Sequence, residues 1–466
     1  MTDLVVCAAD GARPVDGVSL TLAPGVPLTL LGETGSGKTL VAQAIMGTLA
    51  PELAASGRIV FAGRELSGLG ARERRNLWGR AIALLPQEPW LALDPTMRSA
   101  PQVEEVFRRV RRLGAAEAAA RTRASLAAVG LEDAARAYPF QLSGGMAQRL
   151  AFAATAAGET PLLIADEPTK GLCSTLRDEV AAMLRRHAEA RRMLLTITHD
   201  VAVARRLGGA VAIMLEGRVV EQGPAERVLA APSHPYARRL LAAEPSAWPE
   251  SPHPPPGRVV LSARALAKRY GTRSLFANLT LSFHAGETVA VTGPSGSGKT
   301  TLGNVLLGLV PADSGTVVRE AGTAPTRYQK LYQDPPSAFA RGVSMGRLLA
   351  DLARRHGIAA ARIEALLARL RLAPALLGRG AEAISGGELQ RFALARALLL
   401  DPVFLFADEA TSRLDMITQA ETMALLRETA AERGLALLVV THDGEIARKV
   451  AARRIAIGDG AARRAA

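Results

Sequence analysis

Only two of the 466 residues are cysteine, Cys7 and Cys173. Two thiols are too few for a disulfide framework, a zinc site or a four-cysteine iron–sulfur cluster. Aromatic residues make up 4% of the chain, and they do not interleave with the arginines as they do in nucleic-acid binders. Long apolar runs are also lacking. The stretch Leu435 to Val440 is strand length and is soon followed by His442 and Asp443, whereas a bilayer-spanning helix needs about 20 apolar residues. Any membrane pore served by this chain must therefore be another polypeptide. The start at Met1, Thr2, Asp3 lacks the basic segment and apolar core of a secretory signal, so the chain is expected to remain in the cytoplasm.

What is present is the balance of a globular protein, 48% hydrophobic and 22% charged. The length is too great for one core and predicts two large α/β domains. The net charge of +13 is compatible with attraction to nucleic acid, anionic lipid or nucleotide. Its arginines (Arg74, Arg75, Arg108, Arg109, Arg185, Arg186) are scattered among carboxylates, so charge by itself selects none of these partners.

The chain repeats itself. Gly32, Glu33, Thr34, Gly35, Ser36, Gly37, Lys38 and Thr39 return as Gly293, Pro294, Ser295, Gly296, Ser297, Gly298, Lys299 and Thr300. In the same order follow Gln87 and Gln333, Ser143-Gly144-Gly145 and Ser385-Gly386-Gly387, Asp166-Glu167 and Asp408-Glu409, and His199 and His442, at offsets of 246, 242, 242 and 243. The interval from lysine to glutamine is 49 residues in the first copy and 34 in the second, which predicts the loss of about one hairpin. Prolines crowd residues 244–257 and disfavour helix interiors and sheet ladders, so this stretch reads as a stiff linker between domains at 1–243 and 258–466.

Each glycine-rich element follows an apolar strand (27–31 and 288–292) and precedes a helical pattern. That is the context in which backbone N–H groups wrap a polyphosphate at a helix N-terminus. Lys38 and Lys299 are then expected at the β- and γ-phosphates, with the Thr39 and Thr300 hydroxyls on Mg²⁺. The acidic pairs end apolar strands, which deliver Asp166 and Asp408 to a Mg²⁺-linked water and Glu167 and Glu409 to the attacking water.

Leu142-Ser143-Gly144-Gly145-Met146 and Ile384-Ser385-Gly386-Gly387-Glu388 resemble the signature loop of ATP-binding-cassette (ABC) ATPases. The resemblance covers nearly the whole chain. It implies an α/β fold of two P-loop NTPase domains of the ABC, RecA-like type, each with a helical signature subdomain, using ATP and Mg²⁺. By it, Gln87 and Gln333 join the Mg²⁺ ligands and link nucleotide to membrane subunits, and His199 and His442 contact the γ-phosphate. The two halves are expected to close head to tail, each ATP lying between one phosphate loop and the other half's signature serine and glycines. The implied partners are two transmembrane permeases and, through them, a solute-binding protein, with the chain peripheral on the cytoplasmic face of the inner membrane.

Pro232-Ser233-His234-Pro235-Tyr236, soon after Val219 to Pro224, resembles the tail of ATPases in peptide and nickel importers. The absence of a cysteine-rich tail and of a second His-Pro-Tyr segment resembles the nickel branch more than the oligopeptide branch. A soluble twin-cassette ATPase acting on ribosomes is the alternative, although such proteins carry a long charged helical linker. Two departures from the family pattern point to unequal sites. Cys173 stands where the second half has Asp415, and no aromatic precedes Leu31, whereas Tyr270 is available to stack on adenine in the second half.

Overall fold

Strands buried on both faces read as continuous apolar runs, and the motif-bearing strands do. In Leu162–Asp166, Leu163 and Ala165 pack into one core and Leu162 and Ile164 into another on the opposite face. In Phe404–Asp408, Leu405 and Ala407 face one core and Phe404 and Phe406 the other. Each buried leucine contributes about 1.5–3 kcal/mol, so these strands are fixed in register by both faces at once. The computed structural model describes residues 1–170, 172, 174–250, 257–294, 296–411, 414–441, 443–458 and 461–465.

Two units divide the chain, Met1–Ala242 and Ala243–Ala466. In the first, a six-stranded sheet runs in the order Arg218–Pro224, Ala210–Leu215, Leu28–Leu31, Met193–Thr198, Leu162–Asp166 and Ile82–Leu85. All neighbours are parallel except the edge strand Arg218–Pro224. A three-stranded antiparallel sheet (Val15–Val18, Thr2–Ala8, Leu53–Arg58) covers one face together with helix Lys38–Met46. The other face is covered by a helical region that includes Ala115–Ala128 and Gly144–Ala157.

The second unit repeats this plan. Its sheet order is Tyr328–Leu331, Phe404–Asp408, Ala436–Val440, Thr288–Thr292, Arg453–Gly458 and Ala461–Ala465, with Arg273–His284, Val259–Tyr270 and Ser314–Arg319 as the antiparallel sheet. The missing hairpin is visible. The first unit has strands Val60–Phe61 and Arg64–Glu65 and helix Ala71–Arg75 before its edge strand, while the second passes from Ser314–Arg319 through one short 3₁₀ turn, Pro325–Arg327, to Tyr328–Leu331.

The stretch 244–250 departs from the expected extended linker. Pro245–Ala247 forms a 3₁₀ turn, and Trp248, 6% exposed, is buried in the second unit's core with its indole N–H on the Ala243 carbonyl at 2.9 Å. One large aromatic outweighs the extended preference of the neighbouring prolines because it gains a core to bury in. The remaining expected linker residues 251–256 lie outside the described residues. Among the described residues no helix is long and apolar enough to cross a membrane.

Candidate functional site

In the first unit the loop after Leu28–Leu31 curls back on itself. Gly37 caps helix Lys38–Met46 at φ 94°, a left-handed conformation that side chains resist. A Cβ on Gly32 would fall on the Met214 carbonyl oxygen. The buried Lys38 ammonium donates to the Gly32 and Glu33 carbonyls at 2.9 and 2.6 Å and to Ser36 Oγ at 3.3 Å. Burial pushes the Lys38 pKa down, opposed by Glu167, Asp166 and Glu33. An ammonium desolvated among neutral carbonyls is suited to gain an anionic ligand.

The acidic pair meets this loop at the carboxyl edge of the sheet. Thr39 Oγ1 lies 3.4 Å from Asp166 Oδ1, and burial raises the Asp166 pKa. Glu167 adopts φ 47°, as Glu409 adopts 49°; left-handed non-glycine residues are costly and cluster at functional sites. The Glu167 carboxylate lies 2.9 Å from His199 Nδ1 and accepts from Thr198 Oγ1 at 3.1 Å. Burial alone would raise the Glu167 pKa, but the His199 hydrogen bond and charge, with Lys38 and Thr198, hold it below the usual value. Glu167 in turn raises the His199 pKa against the effect of burial.

The second unit builds the same loop with different partners. Lys299 donates to the Gly293 and Pro294 carbonyls at 2.8 and 2.9 Å, and Thr300 Oγ1 to Asp408 Oδ1 at 2.9 Å. Burial lowers the Lys299 pKa, opposed by Glu409 and Asp408. The Ser297 hydroxyl is buried without a hydrogen-bond partner, an orphan that a phosphate oxygen would satisfy. Gln333 donates from Nε2 to Glu409 Oε2 at 2.7 Å, a contact that Gln87, half-buried, does not reproduce with Glu167 among the described hydrogen bonds.

The match to known sequences is decided by the same segments. The profile of ABC transporter domains covers residues 15–170 and again 276–412. The peptidoglycan transport ATP-binding protein YejF of Agrobacterium fabrum is 34% identical over 94% of this chain and 86% of its own length. The glutathione import ATP-binding protein GsiA of Escherichia coli K12 is 32% identical over 94% and 81%. The chain belongs to the ABC transporter family. It is an ATPase with two ABC cassettes. Among solved structures, an RNase-L inhibitor (TM-score 0.70, 20% identity, 99% of this chain and 90% of that one) and an archaeal ribosome recycling factor (0.72, 20%, 99% and 89%) share the fold.

Within each cassette the phosphate loop and acidic pair converge, joined in the first by His199 and in the second by Gln333. The signature residues stand apart from them. Ser143 and Ser385 are exposed N-caps of helices Gly144–Ala157 and Gly386–Leu398, with Gly144 and Gly386 exposed beside them and Gly145 and Gly387 half-buried. Ser385 is tied further by a capping box with Glu388, whose carboxylate lies 2.6 Å from its hydroxyl. In the first cassette Met146 replaces that glutamate. Tyr270 is 56% exposed at a strand end, with the Lys268 ammonium 5.5 Å from its ring centroid; Arg273, across the turn, lies against the phosphate loop at Gly296. Asp415, the counterpart of Cys173, caps its own helix Met416–Arg433 by accepting from the Thr418 N–H at 2.9 Å. The expectations for His442, Ser295 and Cys173 lie outside the described residues.

Two residues were missed by the motif reading. Lys330 is half-buried in the second cassette, its side chain 9% exposed, with its ammonium 3.2 Å from Asp408 Oδ2 and 2.8 Å from Asn304 Oδ1, over the rings of Tyr332 and Phe406. It pairs with Phe406 as Leu84 pairs with Ile164 in the first cassette, so one extra charge adjoins the second aspartate only. A lysine at the position where the first copy has Leu84 was the available signal. The other is Tyr236, noticed as a tail marker and found against the first phosphate loop.

Proposed function

We propose that this chain energises an importer of small peptides, with ATP and Mg²⁺ bound at two sites and hydrolysis coupled to a pair of membrane permeases. The observation that carries the reading is the likeness, over 94% of the chain and both cassettes, to proteins named for peptidoglycan transport and glutathione import. Lys38 and Lys299, with the loop N–H groups, hold the β- and γ-phosphates. Thr39, Asp166 and Gln87 hold Mg²⁺ at the first site, and Thr300, Asp408 and Gln333 at the second. The metal supplies charge neutralisation to the transferring phosphoryl group. Mg²⁺ typically takes only one or two protein carboxylates beside phosphate oxygens. Glu167 and Glu409 orient the attacking water, and His199 and His442 approach the γ-phosphate.

Ser143 and Ser385, exposed at helix N-termini, are placed to meet a γ-phosphate held by the opposite cassette, so that ATP bridges the halves and ADP does not. Fusion of the cassettes keeps that closure at high effective concentration. The chain then works peripherally at the cytoplasmic face of the cell membrane, with a solute-binding protein delivering the cargo.

The test is co-purification with the permeases, followed by ATPase assay with binding protein loaded with short peptides or with nickel chelates. Peptide-stimulated hydrolysis is expected; stimulation by nickel chelates alone moves the cargo to the metal branch, and stimulation by ribosomes without permeases overturns the transport reading. Lys299→Ala is expected to abolish most turnover, and an unchanged rate would remove the second loop from the mechanism.

A further inference from the structure

We infer that Tyr236 is a positioning residue for the first phosphate loop, holding a backbone N–H that the second loop does not possess. Its hydroxyl accepts from the Glu33 N–H at 3.1 Å across 203 residues of sequence, and its ring is 6% exposed. The Glu33 carbonyl already accepts from Lys38 Nζ at 2.6 Å and Ser36 Oγ at 2.8 Å. Residue 33 is thus held through both of its backbone polar groups, one by the lysine that meets phosphate and one by the tail.

The equivalent residue in the second loop is Pro294. Its carbonyl accepts from Lys299 at 2.9 Å, and a proline has no N–H to satisfy. A donor at the rim of a phosphate loop must be paired or absent, and each cassette uses one of these solutions.

The tail is built to deliver that hydroxyl. Glu221, on the edge strand Arg218–Pro224, accepts the Ser233 N–H at 2.9 Å and the His234 N–H at 2.9 Å. His234 Nδ1 accepts the Tyr236 N–H at 3.2 Å, and Pro235 begins helix Pro235–Ala242, a position where the missing N–H costs nothing. The edge strand adjoins Ala210–Leu215, which adjoins the phosphate-loop strand Leu28–Leu31, so the path from tail to loop is two strands wide.

The inference rests on residues 32–39 binding the phosphates, which Lys38→Ala tests separately by abolishing nucleotide binding at the first site. In the full chain carrying Lys299→Ala, binding of a fluorescent ATP analogue with Mg²⁺ reports the first site; with Lys38→Ala instead, it reports the second. Tyr236→Phe is expected to weaken binding at the first site about three- to tenfold, the effect of one lost hydrogen bond, to raise KM more than it lowers kcat, and to leave the second site unchanged. Glu33→Pro removes the orphaned donor, so in that background Tyr236→Phe is expected to cost less than about twofold. Equal losses at both sites, no loss at the first, or the same loss with and without Glu33→Pro would each overturn the inference. Should Glu33→Pro fail to fold, the comparison between sites decides alone.

Discussion

Replacing Lys330 by leucine, the residue at the equivalent sheet position of the first cassette, tests whether the second aspartate is neutralised by the protein itself. The ammonium lies 3.2 Å from Asp408 Oδ2. At an effective dielectric constant of about 20, unit charges at that distance attract by ~5 kcal/mol before desolvation is subtracted. Removing one member of a buried pair typically costs about 3–5 kcal/mol, because the other charge is left without compensation. Asp408 is 2% exposed, and Asn304 loses its donor in the same substitution. The second cassette should therefore lose about 3 kcal/mol of stability when divalent metal is chelated. Bound Mg²⁺ restores positive charge beside Asp408, so the loss should shrink when metal and nucleotide are present. Denaturant unfolding with chelator and with Mg-ATP measures the first effect; Mn²⁺ titration followed by electron paramagnetic resonance measures the second, where Lys330→Leu should tighten metal binding about tenfold, or ~1.4 kcal/mol. Equal destabilisation under both conditions together with unchanged Mn²⁺ affinity would refute the competition between ammonium and metal.

The remaining predictions concern hydrolysis and pH. Glu167→Gln should cost more steady-state ATPase turnover than Glu409→Gln, since the proposed head-to-tail closure would bring Asp415, and not Cys173, to the first site, and Cys173→Asp should narrow the difference; equal losses with no response to the cysteine change would identify the departures as drift. His187 is buried in helix Ser174–Glu189 with no partner for Nε2, and burial, with Arg192, lowers its pKa from 6.5 to about 4. The folded state therefore binds fewer protons, so its contribution is complete above pH 6.5 and is lost as pH falls towards 4. At about 1.36 kcal/mol per unit, the first cassette should lose ~3 kcal/mol over that window. His187→Phe should flatten the pH dependence of urea unfolding there, and an unchanged slope would assign it to other groups.

Both phosphate loops, both acidic pairs and the missing hairpin were legible because each is a local constraint. A loop that turns at φ 94° needs glycine, a strand buried on both faces needs an unbroken apolar run, and spacing between motifs counts residues directly. The motif strands came out within about a residue of expectation for that reason. The linker was misjudged because proline preference is local, whereas the burial of Trp248 depends on a core assembled from the far end of the second unit.

The sequence by itself thus determined that there are two nucleotide cassettes, where their loops lie and which residue types line them. Only the tertiary structure decided what each of these residues touches. Sheet order sets the phosphate-loop strand two places from the edge strand that carries the tail, so Tyr236 reaches Glu33 although 203 residues separate them. Parallel pairing sets Lys330 opposite Phe406 and beside Asp408, 78 positions later in the chain. Glu409 accepts from Gln333, while among the described hydrogen bonds Gln87 makes none to Glu167, a difference between two copies of one motif that spacing cannot express. Motifs record what a backbone must be able to do locally; side-chain partners are set by which strands become neighbours, and that is a property of the whole packed sheet.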